Sequence, residues 1–125
     1  MALIRSGIWI NDGGSELHLL VNDEKAEGFY ITKVTSLEQR SPITGWVNGE
    51  LIGFVVSWKE SYSLTSWCGR YVRESDDREC IKTAWHLGHL FEDASKTIPN
   101  PVWSTFITNT SHFYYAHPLD ESGAV

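Results

Sequence analysis

Turn-forming clusters divide this chain at short, regular intervals, and what lies between them is β-type. The breaks are Asn11-Asp12-Gly13-Gly14, Asn22-Asp23-Glu24-Lys25, Ser41-Pro42, Asn48-Gly49, Ser75-Asp76-Asp77 and Pro99-Asn100-Pro101. The intervening runs are rich in Ile, Val, Thr, Tyr, Phe and Trp. They predict about eight strands, near 6–12, 15–22, 28–35, 42–48, 50–59, 63–73, 79–90 and 102–115. Asn48-Gly49 reads as the best hairpin turn, because both central positions tolerate positive φ. No useful 3.6-residue apolar stripe competes, and the one plausible helical turn lies around 90–96. Eight antiparallel strands can close into an up-and-down barrel whose interior holds one small ligand. A sandwich with a solid aromatic core is the alternative. The expected fold class is all-β.

At 125 residues the chain fits a single domain spanning 1–125, with strands over about 6–115 and a flexible C-terminal tail over about 116–125. Its formal net charge is −6, with acids and bases scattered and no basic stripe. Such a surface argues against nucleic acid and anionic membranes as partners. No apolar run is long enough to span a bilayer. Met1-Ala2-Leu3-Ile4-Arg5-Ser6 lacks the apolar core of a signal peptide, so a mature secreted form and a cytoplasmic protein both stay open. Strand parity turns Cys68 and Cys80 away from the tryptophan side, and it leaves a disulfide and a free pair equally compatible.

The tryptophans Trp58, Trp67, Trp85 and Trp103 fall in successive strand-like stretches. A core is filled more simply with Leu, Ile and Val, whereas indoles beside Ser, Thr, Tyr and Asn suggest an aromatic box around a small ligand. Period-two parity sorts the rest. Trp9, Asn11, Ser15 and Leu17 share a face if the first turn keeps register; Tyr30, Thr32 and Val34 share another; Ser63, Thr65 and Trp67 alternate with Leu64, Ser66 and Cys68. Trp85, Leu87 and His89 alternate with His86 and Gly88. One face thus collects Asn11, Ser15, Tyr30, Thr32, Ser63 and Thr65 with the indoles. Singly, each inward hydroxyl reads as a satisfied core residue. As a set they call for a polar ligand, because buried polar groups must be paired.

At these residues the chain resembles the avidin–streptavidin family of biotin-binding barrels. The resemblance runs from Gly7 to Phe113. It rests on Gly7-x-Trp9-x-Asn11-x-x-x-Ser15, Gly28-x-Tyr30-x-Thr32-x-Val34, Val56-Ser57-Trp58-Lys59, Ser63-x-Thr65-x-Trp67-x-Gly69, Thr83-x-Trp85-x-Leu87 and Trp103-Ser104-Thr105. It implies a streptavidin-like barrel that binds biotin non-covalently with high affinity, catalyses nothing and needs no cofactor or metal. Asn11, Ser15 and Tyr30 then donate to the ureido oxygen, and Thr32 accepts from one ureido N–H. Thr65 lies near the thioether sulfur. Ser63 and the 34–39 loop, with Ser36, meet the valeryl carboxylate. Trp58, Trp67, Trp85, Val34 and Leu87 enclose the ring and tail. The resemblance also implies a homodimer or homotetramer in which Trp103 closes a neighbouring subunit's site, with Trp46 and Phe106 adding to an exposed apolar patch. A secreted or extracellular protein is expected.

One departure stands out. The family places Asp or Asn on the last strand to accept from the second ureido N–H, and counting from Trp103 puts Ser111 there. Serine is shorter and neutral, so affinity is expected to be lower than in relatives. Asn109 compensates only if a bulge intervenes. Gly13 also stands where a larger apolar side chain is frequent. Together they leave open a binder of another small polar heterocycle on the same barrel. His86 and His89, three apart, lie on opposite strand faces and share no metal, which weakens a hydrolase or metalloenzyme using His89. A ligand-free, aromatic-cored assembly protein is the remaining reading. Asn109-Thr110-Ser111 is a glycosylation sequon only in a secreted eukaryotic protein.

Overall fold

The computed structural model describes residues 4–32, 39–58, 62–90 and 106–119. Among them the eight strands are β1 (Gly7–Asn11), β2 (Glu16–Asn22), β3 (Lys25–Thr32), β4 (Gln39–Asn48), β5 (Leu51–Trp58), β6 (Ser63–Arg73), β7 (Glu79–His89) and β8 (Phe106–His117). Each pairs antiparallel with its sequence neighbour, and β8 returns to β1, so the sheet closes as an up-and-down barrel. Closure removes the sheet's free edges. The expected sandwich alternative is thereby excluded.

Alternation along each strand decides what lies inside. Trp9, Leu17, Leu19, Ile52, Phe54, Val56, Ile81 and Phe113 are at most 2% exposed, and they fill one half of the barrel. Ile4 seals that end, with the Trp9 indole N–H donating to the Arg5 carbonyl oxygen at 3.1 Å. Arg5 in turn pairs with Glu79 and lies over the Tyr115 ring. The other half is left to larger, more polar side chains, and there the interior stays open.

Four expectations need correction. Ser41-Pro42, expected as a break, lies inside β4, where Ser41 pairs with Tyr30 and Pro42 with Phe29; the proline is tolerated because the β4–β5 ladder begins only at Ile43. The β4–β5 loop is Gly49-Glu50, one residue later than predicted, with Asn48 paired to Leu51 and Gly49 taking φ 61. Register explains the shift: Val47 packs opposite Ile52, whereas a turn centred on Asn48-Gly49 would bring Glu50 opposite Val47. β3 begins at Lys25, because Asn22 pairs with Lys25 around a two-residue loop in which Asp23 adopts φ 56. β8 continues through His117, so 116–117 belong to the sheet rather than to a tail. The expected helical turn around 90–96 lies, beyond Leu90, outside the described residues.

The cysteines are both free. Cys68 pairs with Ala84, and Cys80 with Val72, so they stand four register positions apart on β6 and β7. At about 3.4 Å per residue that is roughly twice the Cα separation a disulfide spans.

Candidate ligand-binding site

The mouth of the barrel is a cavity of about 980 Å³, lined in part by Asn11, Tyr30, Thr32, Ser63 and Thr65, with Trp58, Trp67, Trp85 and Leu87. These come from the mouth-side ends of β1, β3, β5, β6 and β7, where period two turns alternate residues inward. Its floor is an aromatic stack. Trp67 lies between Phe54, at 4.9 Å and 14°, and Tyr30, at 5.0 Å and 28°. Trp58 meets the edges of both Tyr30 and Trp67 at 5.7 and 6.4 Å. The same indole therefore belongs to the core below and to the site above. Such stacking fixes the rings before any ligand arrives.

The polar groups are oriented as firmly. Asn11 Oδ1 accepts from the backbone N–H groups of Gly13 and Ser15, each at 2.9 Å. That assigns the amide, and it aims Nδ2 at the Tyr30 hydroxyl, 3.1 Å away. Ser15 is buried and also hydrogen-bonds the Tyr30 hydroxyl. Burial raises the pKa of Tyr30; the hydrogen bonds from Ser15 and Asn11 oppose the rise, and the Asp12 carboxylate adds to it. The phenol is thus held in its neutral, proton-donating form. Across the cavity, the Trp58 indole N–H donates to Thr65 Oγ1 at 2.8 Å, leaving the Thr65 proton free to point at a ligand.

On β8, Ser111 is 7% exposed and lines the cavity. Its carbonyl oxygen accepts from Thr83 Oγ1 at 2.7 Å, but its own hydroxyl has no hydrogen-bond partner among the described residues. The β7–β8 register runs without a slip from Cys80↔Tyr114 to Gly88↔Phe106. There is accordingly no bulge to bring Asn109 into play. Asn109 is exposed, and its Oδ1 accepts from the Thr110 N–H at 2.8 Å.

The Avidin family model matches residues 2–113 of this chain. The chain belongs to the avidin family. It is 33% identical to avidin of Gallus gallus over 99 residues, covering 70% of this chain and 65% of the chicken protein, slightly less than two thirds of that relative's length. Among solved structures, apo shwanavidin superposes with a TM-score of 0.72 at 25% identity, covering 91% of this chain and 100% of its own. The rhizavidin–biotin complex gives a TM-score of 0.70 at 25% identity, covering 94% of this chain and 97% of its own.

In this avidin-family barrel the sequence-derived residues Asn11, Tyr30, Thr32, Trp58, Ser63, Thr65, Trp67, Trp85, Leu87 and Ser111 line one cavity, with Ser15 buried behind Tyr30. Val34, Ser36 and Trp103 lie outside the described residues. Sequence reasoning missed Ser41, which pairs directly with Tyr30, and Asp12, Gln39 and Thr110 on the rim. Ser41 was recoverable: stepping back by two from the buried Val47 and Ile43 reaches it.

Trp46 and Phe106 are both exposed, at 62% and 59%, but they do not form one patch. Trp46 aligns through Gly53, Cys68 and Ala84 with Thr110, four residues along β8 from Phe106 and four strands away. Phe106 instead shares the outer face with Leu64, on either side of Gly88. Trp46 carries the Lys25 ammonium 4.7 Å from its ring centroid.

Proposed function

We propose that this chain binds biotin non-covalently in the open end of the barrel. One geometric observation carries the reading. Asn11 and Ser15, at the β1–β2 turn, converge with Tyr30 on one point, and Thr32 and Ser111 flank that group on β3 and β8. A cyclic urea presents the matching pattern, an oxygen acceptor between two N–H donors. Convergent neutral donors stabilise charge drawn onto the ureido oxygen, as in an oxyanion hole. Thr32 and Ser111 supply acceptors for the two N–H groups, and the indoles of Trp58, Trp67 and Trp85 enclose the ring. Val34, Ser36 and Ser63 are assigned to the tail and its carboxylate. A relative solved as a complex with biotin, rhizavidin, adds family-level support.

The role is binding rather than catalysis: the groups facing the ureido position are an amide, hydroxyls and a phenol kept protonated. Because Ser111 offers a shorter, neutral acceptor, affinity is lower than in relatives with Asp or Asn there. The assembly is a homodimer or homotetramer, supported by Phe106, Leu64 and Val55 exposed on the outer face of β5, β6 and β8. Trp103 is assigned to a neighbour's site, and the protein to an extracellular setting. Thermal unfolding with and without biotin tests the binding claim. A ligand that binds only the folded state raises Tm, and an unmoved Tm at millimolar biotin rejects the reading.

A further inference from the structure

We infer that Trp58 is a positioning residue that commits the Thr65 hydroxyl to donate into the cavity, and so selects the atom carried by a ligand's second ring. The class selected is the bicyclic ureas whose second ring bears a thioether or ether rather than a methylene. The inference rests on the biotin reading and deepens it, giving Trp58 a role besides enclosing the ring. Trp58 and Thr65 stand diagonally on neighbouring strands, because Trp58 pairs with Ser63 and Thr65 with Val56. Both side chains line the cavity, and the indole N–H donates to Thr65 Oγ1 at 2.8 Å.

The surroundings leave that hydroxyl one direction. In register, Thr65 is flanked by Val56 on β5 and Leu87 on β7, and neither side chain has a polar atom. Thr65 is 4% exposed, and among the described residues no acceptor takes its proton. A buried donor in that state is costly until a ligand supplies the acceptor. Accepting from the indole also strengthens the hydroxyl as a donor, since linked hydrogen bonds polarise one another. β-Branching restricts χ1 of Thr65 and keeps Oγ1 beside the indole. Trp58 is held as firmly, by edge contacts with Tyr30 at 85° and Trp67 at 68°. A thioether or ether accepts the Thr65 proton, whereas a methylene leaves it unpaired. Without the indole N–H, the hydroxyl loses the partner that fixes its role.

Calorimetric titration with biotin, its ether analogue and its carbocyclic analogue, in which oxygen or a methylene replaces the ring sulfur, tests this. The thioether and the ether should bind about three- to tenfold more tightly than the methylene compound. Trp58→Phe keeps an aromatic wall but removes the N–H. It should weaken all three ligands and bring that preference to within about twofold. Thr65→Val should collapse the preference in the same way, Thr65→Ser should retain it, and joining Trp58→Phe to Thr65→Val should cost no further preference. If Trp58→Phe lowers all three affinities by one factor and leaves the preference intact, Trp58 only encloses the ring and the inference is overturned. Absence of any preference in the wild type also overturns it, while leaving the biotin reading standing. If biotin itself fails to bind, that reading falls and the inference with it. Should Trp58→Phe not fold, nitrogen-edited NMR reads the same contact: the Trp58 indole N–H should exchange slowly with solvent in the wild type and faster in Thr65→Val. Equal exchange in the two proteins overturns the inference.

Discussion

The Asn11 side-chain amide donates to the Tyr30 hydroxyl across 3.1 Å, and two backbone N–H groups on its own oxygen forbid the flipped orientation. Tyr30 is consequently free to spend its own proton on a ligand acceptor. Tyr30→Phe removes that donor with little change of shape. Biotin affinity should fall by about 1–3 kcal/mol, a roughly five- to 150-fold rise in Kd. Titration of the variant measures this, and an unchanged Kd would place the ureido oxygen elsewhere.

Alkaline pH should act through the same phenol. Burial lifts the Tyr30 pKa above its ordinary value of 10.0, with Ser15 and Asn11 opposing and Asp12 reinforcing the rise. Its contribution to stability is therefore complete below pH 10 and is lost as pH climbs from there through the raised value, because the unfolded chain ionises first. Biotin binding should follow the same course, level from neutral pH to about 10 and falling beyond. A Tyr30→Phe variant should lack that alkaline fall. If its profile falls as the wild type does, another group is responsible.

Ser111→Asp supplies a charge-assisted acceptor where the hydroxyl now lacks a partner. Biotin dissociation should slow by about 1–3 kcal/mol of added stabilisation, roughly five- to 150-fold. Stopped-flow or chase kinetics with excess competitor reads the rate. An equal or faster release would mean that the β8 position does not face a ureido N–H.

The two thiols report on the barrel itself. Cys68 is exposed on β6, whereas Cys80 is fully buried on β7, with burial pushing its thiol pKa up and Glu74 adding to the rise. A thiol reagent should label one cysteine in native protein and both after denaturation. Fast labelling of both in the native state would contradict the packing around Cys80.

Which residues face inward was legible in the sequence, because period two is a property of the strand alone. The alternations at Tyr30-Thr32 and at Ser63-Thr65-Trp67 needed no knowledge of neighbours. Strand ends were harder. At Gln39–Ser41 the inward side faces an open cavity rather than a core, so no apolar residue marks the strand, and Ser41-Pro42 reads as a break although both residues lie inside β4. Features that depend on pairing between strands were not legible at all. The separation of Cys68 from Cys80 follows from the β6–β7 register. The wide spacing of Trp46 and Phe106 follows from the cumulative register around the barrel. The orientation of Asn11 depends on backbone groups in the Gly13–Ser15 turn, which composition does not reveal. Ser111 as the cavity-lining residue of β8 could be counted from Trp103, but the exclusion of Asn109 required an uninterrupted β7–β8 ladder.

Isothermal titration of the purified protein with biotin addresses the central claim most directly. One biotin per chain, in a saturable transition that weakens when Tyr30 is replaced by Phe, is the predicted result. Absence of heat at several temperatures, with biotin well in excess and the protein folded, would contradict it.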